Sequence, residues 1–227
     1  MTIKLREGIL FHDGSELTAD VLVWNFDETI ASGRSVDLGS PASYEATDDY
    51  TVVIHYDAWN PLIYEFFGLF RVVSQYSYET YGEDYMKTHA VGTGAFIQDE
   101  YVSGTSVKFV KNENYWQEGL PYLDSITIIK ISDNNTQISA LMNGEIHGCS
   151  FSKGSLITQL EAAEGVKNIQ AKGAGTVFMM PIMVNTTEES PFEDVLVRQA
   201  FMYALDRDAS GKGVTEGTAS GICQFAV

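Results

Sequence analysis

A mixed α/β fold is what this sequence predicts, and its patterning says why. Short β-branched or aromatic runs alternate with helical segments along most of the chain. Several helical segments open on a Thr or Asp in the N-cap position, where a side-chain oxygen satisfies an orphan amide. Two strand-like runs are split by Ser103-Gly104, a hairpin signal. No internal repeat or low-complexity tract interrupts the pattern.

Taken in order, Thr2–Leu5 reads as the end of a strand. The stretch FHDGSELTADVLVWNF, Phe11 to Phe26, reads as a turn and a capped helix. Asp13-Gly14 is a tight-turn dipeptide, Thr18 is the N-cap, and Asp20 places an anion in the first turn. The helix runs from Thr18 to about Ala31, with Ala19, Val23, Phe26 and Ile30 on one face. Trp24 falls off that face, either covering a neighbouring domain or lying on the surface. Asp48-Asp49 sits in a turn, and Thr51–Tyr56 is a strand. Pro61 to Phe67 is a short apolar helix, and Arg71–Ser74 a further strand. Phe96–Tyr101 and Thr105–Val110 form the hairpin. Ser125–Ile131 is a strand, and Asp133 caps a helix carrying Ile138, Leu141 and Met142 that stops at Gly144. Glu145–Ser150 is read as a strand, Ser155–Glu164 as a helix, and Val177–Val184 as a buried strand. Asp194 caps a last helix to about Asp206. Beyond Asp208, Gly211, Gly213, Gly217 and Gly221 read as a flexible connection.

Composition narrows the function. The 227 residues carry 14 basic and 31 acidic side chains, a net charge of -17. Nucleic-acid phosphates would be repelled by such a chain, so no nucleic-acid partner is expected. Cys149 and Cys223 form no metal motif and leave the redox compartment open. No segment approaches the ~20 apolar residues of a membrane-spanning helix. Lys4, Arg6 and Glu7 interrupt the start, so no export signal is read there.

Catalytic signatures are not found. His12, His55, His89 and His147 lack partners at ligand spacing, so no metal and no cofactor are expected. Gly92–Gly94 lacks the third glycine of a dinucleotide fingerprint and leads into a strand, so it reads as a turn. There is no phosphate loop and no nucleophile elbow. The expectation is a protein that binds without catalysing.

Five phrases, in order, resemble one family: KLREGILFHDGSELTADVLVWNFD, VGTGAF, VKNENYW, LDSITIIKISDNNTQISALMNGEI and PFEDVLVRQAFMYALDRD. They are similar to the family 5 extracellular solute-binding proteins, which include the oligopeptide, dipeptide and nickel-binding proteins of bacterial ABC importers. The likeness runs from about Thr2 to Asp208. His147 stands where the family usually has aspartate, Ala95 where proline is common, and Val21 where an acidic residue is frequent.

The resemblance implies an incomplete periplasmic-binding-protein-like fold of type II, without the N-terminal segment and most of the last lobe. It implies a small accessory lobe at 1–117, part of the first ligand-binding lobe at 118–192, and a hinge helix with the start of the last lobe at 193–227. It implies capture of a peptide or other small solute between two closing lobes, and delivery to an ABC permease in the membrane. The expected location of the parent is the extracellular or periplasmic face, with signal peptide and any lipid anchor outside this chain. Ser150 and Phe151 are implied to face ligand, as are Thr176, Met179 and Pro181 on a strand that pairs with peptide backbone. Arg71 in GLFRVVS matches a phrase of nickel-type relatives, where an arginine meets the carboxylates of a metal chelator. Nickel-chelate binding is therefore the alternative to peptides. An interaction module that has lost transport is the alternative from another class. With one cleft wall absent, weak binding and self-association through exposed edges are expected.

Overall fold

The computed structural model describes residues 1–151, 154–161, 163, 165–167, 169 and 185–217. They divide into two units, Met1–Lys130 and Ile131–Val227.

In the first unit, β1 (Thr2–Lys4), β2 (Ser43–Asp48) and β3 (Thr51–His55) form an antiparallel sheet in the order β1-β3-β2. Tyr44 lies opposite Ile54, Ile3 opposite Val52, and the ladder shifts register between Ala46 and Asp48. The helix α1 (Ala19–Ala31) packs on this sheet. Thr18 caps it as expected, its hydroxyl accepting from the Val21 amide. Ala19, Leu22 and Phe26 meet Val52, Ile54 and Leu38 in the core. Phe26, 1% exposed, sits edge-on to Tyr44, Phe67 and Phe70, with ring centroids 5.4, 5.9 and 5.5 Å away. Burying such a side chain stabilises the fold by roughly 1.5–3 kcal/mol before aromatic geometry adds its share. Val23 and Ile30 are half-buried, while the fully buried face runs through Leu22 and Asn25. Trp24 is half-buried. Its ring lies edge-on to Tyr78 at 5.3 Å, inside the same unit.

The short helix α2 (Ile63–Leu69) is followed by α3 (Gln75–Tyr81) and α4 (Glu83–Met86). A second antiparallel sheet joins β4 (Phe96–Val102), β5 (Ser106–Lys111) and β6 (Ser125–Ile129) in that order. Gly104, at φ 70°, makes the expected hairpin turn. The strand expected at Arg71–Ser74 is not formed. The Val73 amide and carbonyl are taken by the Asn25 side chain, and Ser74 instead caps α3 by accepting from the Ser77 amide.

In the second unit, Asp133 caps α5 (Asn134–Met142) through the Thr136 amide at 2.8 Å, as expected. Glu145–Ser150 is not a strand. The amides of Glu145 and Ile146 turn back to the Ala140 carbonyl and close the helix end instead of entering a ladder. α6 (Gly154–Glu161) begins where a helix was expected and ends sooner. Asp194 caps α7 (Val195–Ala204) through the Leu196 amide. α7 does not reach Asp206, because Asp206 itself caps a further helix, α8 (Arg207–Thr215), through the Ala209 amide at 2.9 Å. The glycine-rich connection is therefore helical across Gly211 and Gly213, the Asp cap and buried Thr215 outweighing glycine's poor propensity. The expected strand Val177–Val184 lies outside the described residues, as do Gly221 and Cys223.

Candidate functional site

Arg71 is held by its neighbours in sequence and by α1. Asn25, 4% exposed, sits on the buried face of α1 and acts as a strand partner. Its Oδ1 accepts from the Val73 amide at 2.9 Å, and its Nδ2 donates to the Val73 carbonyl at 3.1 Å and the Val21 carbonyl at 2.9 Å. That triple anchoring fixes the extended stretch from which Arg71 projects. Sequence reasoning missed it, although an asparagine within the apolar stripe of a helix is the available signal.

The guanidinium of Arg71 is exposed and donates to the Leu69 carbonyl at 2.7 Å. It borders a cleft of about 410 Å³ that also receives Thr29, Arg34 and Phe66. Arg34 is paired with Asp37. Among the described residues, no carboxylate lies within ion-pair distance of Arg71. In a chain of net charge -17, a guanidinium with no carboxylate partner among the described residues is available for an anionic ligand group, which its planar fork grips with two parallel hydrogen bonds.

A second, more apolar groove of about 860 Å³ opens beside β1, lined by Ile3, Leu22, Ile54 and Phe67. Trp59 and Tyr64 stand at it, 72% and 68% exposed.

The opening turn is a polar knot. The Asp13 carboxylate accepts from the Ser15 amide at 2.9 Å, the Ser15 hydroxyl at 2.6 Å, the Ser77 hydroxyl at 2.5 Å and the Ser74 hydroxyl. Burial pushes this carboxyl up, but the hydrogen bonds from Ser15, Ser74 and Ser77 outweigh it and hold it below its ordinary 3.8. Asp13 therefore ties the turn to the start of α3.

Ser150 and Phe151 belong to the second unit, Ser150 exposed and Phe151 half-buried. Thr176, Met179 and Pro181 lie outside the described residues. Cys149 is a free, exposed thiol, and partial burial pushes its pKa up, the opposite of what an activated nucleophile needs. Among the described residues, no group of three or more His, Cys, Asp or Glu side chains is placed to hold a metal, and no helix is long and apolar enough to cross a membrane.

Comparison with known proteins places this geometry. The family model for the bacterial extracellular solute-binding proteins, family 5 Middle, matches residues 1–225. The glutathione-binding protein GsiB of Shigella boydii is 33% identical over 228 residues, covering 96% of this chain and 43% of that protein. The chain thus spans less than half the length of the curated relatives it matches. Among solved structures, the oligopeptide-binding protein AppA of Bacillus subtilis, in complex with a nonapeptide, is 26% identical with a TM-score of 0.55, covering 64% of this chain and 31% of AppA. NikZ of Campylobacter jejuni, in complex with Ni(L-His), is 20% identical with a TM-score of 0.72, covering 95% of this chain and 43% of NikZ. That last likeness speaks to the fold alone. The mixed α/β architecture is that of a periplasmic-binding-protein-like chain, and the protein belongs to family 5 of the bacterial extracellular solute-binding proteins.

Proposed function

We propose that this chain is part of the substrate-binding component of an ABC importer that captures short peptides outside the cell membrane and hands them to the permease. The observation that carries the reading is the 33% identity, along 96% of the chain, to proteins named for binding glutathione, itself a short peptide with free carboxylates. Arg71 supports it chemically, as a guanidinium without a carboxylate partner among the described residues, at the edge of a cleft. In this reading Arg71 pairs with a ligand carboxylate. The family resemblance supports Ser150, Phe151, Thr176, Met179 and Pro181 as further ligand contacts. The protein works by binding alone, without covalent chemistry.

Nickel-chelate binding is the second reading, because a chelator's carboxylates would suit the same guanidinium. Calorimetric titration separates the two, using this chain and a form extended to the full length of its relatives. Glutathione, unrelated tripeptides and nickel with histidine are the ligands. Uptake of glutathione or tripeptides, weakened at least about tenfold by Arg71→Ala, is the expected result. Uptake of nickel with histidine alone moves the function to the second reading. No uptake by the extended form of any of the three overturns both.

A further inference from the structure

Arg71 shares its cleft with a pair of opposite charges. The chain leaves α1 through Arg34, whose amide donates to the Thr29 carbonyl at 3.1 Å, and enters a one-turn helix at Ser35–Leu38. The Asp37 amide donates to the Arg34 carbonyl at 2.9 Å, so both backbones are fixed. Leu38, buried in the core, anchors the turn from below. Gly39 lets the turn close on α2: at φ 71°, a Cβ there would lie 3.2 Å from the Phe66 ring. The Arg34 side chain is exposed and Asp37 half-buried, and the two pair with each other. Such a surface pair is weakly held, so a ligand that offers the same two charges in reverse replaces it at little cost. The cleft therefore presents two guanidinium groups and one carboxylate, a local excess of positive charge in a chain of net charge -17. The Thr29 hydroxyl already donates to the Asn25 carbonyl at 2.7 Å, which leaves it only lone pairs to offer. Phe66 and Phe70 supply an apolar wall, and the volume of about 410 Å³ lies in the range of small-ligand sites.

We propose that this cleft selects γ-glutamyl peptides, reading the free amino-acid head with the Arg34–Asp37 pair and the far carboxylate with Arg71. The inference rests on the peptide-binding reading and narrows its substrate class. In an ordinary peptide the ammonium and the terminal carboxylate stand at opposite ends, so no single group matches a neighbouring cation and anion. A glutamate joined through its side chain keeps both charges on one carbon, side by side. Its ammonium meets Asp37, with the Thr29 hydroxyl as a further acceptor, and its carboxylate meets the Arg34 fork. The two methylenes of the glutamyl arm suit the wall of Phe66 and Phe70. The carboxylate at the other end of the peptide then falls to Arg71, which has no carboxylate of its own among the described residues.

Nitrogen-15 NMR tests this by following the Arg34 and Arg71 side-chain Nε signals, in the whole chain and in the form extended to the length of its relatives. The probes are reduced glutathione and its α-linked isomer, α-glutamylcysteinylglycine, which have the same atoms and the same net charge. Glutathione should move both arginine signals and bind about tenfold more tightly than the isomer. The isomer should move Arg71 alone. Arg34→Gln and Asp37→Asn should each erase most of that preference. If a variant fails to fold, the comparison of the two peptides on the unaltered protein decides alone. Equal affinities, an Arg34 signal that glutathione leaves in place, or a preference that survives both variants each overturns the proposal while peptide binding at Arg71 stands. If neither peptide moves Arg71 in either form, the peptide-binding reading falls and the proposal falls with it.

Discussion

The two units spend their apolar residues differently. In Met1–Lys130, α1 closes over a sheet, and Phe26, Leu38, Val52 and Ile54 are buried there to 1% exposure or less. In Ile131–Val227, the buried apolar side chains among the described residues are Ile138, Ala140 and Leu160. The helix α7 has the composition of a packed helix, yet Leu196 is 66% and Tyr203 90% exposed. Both units have well-capped helices, so capping does not separate them. An amphipathic pattern makes a helix, but only a facing partner turns its apolar stripe into stability.

The contrast can be broken at its strongest point first. Phe26→Ala removes the ring around which Tyr44, Phe67 and Phe70 pack, and should cost about 3–5 kcal/mol in urea unfolding of the first unit. A cost near that of a surface substitution would mean the cluster does not hold the unit together. Asn25→Ala should follow at about 1–2 kcal/mol, because it strips the part-buried Val73 amide and carbonyl of their side-chain partners. Faster exchange of the Val73 amide would tie that loss to the Arg71 stretch.

The second unit has one close fit that sharpens the comparison. A Cβ on Gly154 would run into the Glu216 carbonyl, and the Ser155 amide donates to the Glu216 carboxylate at 2.8 Å. Gly154→Ala should therefore cost about 1–2 kcal/mol and raise amide exchange along α6, leaving the first unit unchanged.

Acid acts next, through Asp13. Its carboxyl sits below its ordinary 3.8 in the folded chain. It therefore contributes stability that is fully present above that value and lost as pH falls through the lowered native one. Asp13→Asn should flatten this part of the acid-unfolding curve, and an unchanged curve would show that the serine cluster holds the turn without the charge. Smallest of all, Leu196→Ala should change stability by less than about 0.5 kcal/mol, since the side chain is already in water. A larger loss would reveal a partner for α7.

Local chemistry was legible. Thr18, Asp133 and Asp194 act as caps, and Ser103-Gly104 turns a hairpin, because each signal is contained within a few residues. Arg71 could be singled out, but not that it has no carboxylate partner among the described residues. Only folding decides which charges end up close to a guanidinium.

What the sequence by itself determined is the mixed α/β class, the main helix starts and the family, though strands and helices come in runs and do not alternate strictly. Those rest on short-range hydrogen bonding, and on phrases whose order survives without coordinates. Tertiary structure alone decided the rest. β2 carries just Tyr44 and Ala46 toward the core, too weak a pattern to announce a strand until β3 pairs with it. Arg71–Ser74 reads as a strand but takes Asn25 as its partner, and Glu145–Ser150 reads as a strand but turns its first amides back to α5. A strand is defined by what lies across from it, and that neighbour is distant in sequence.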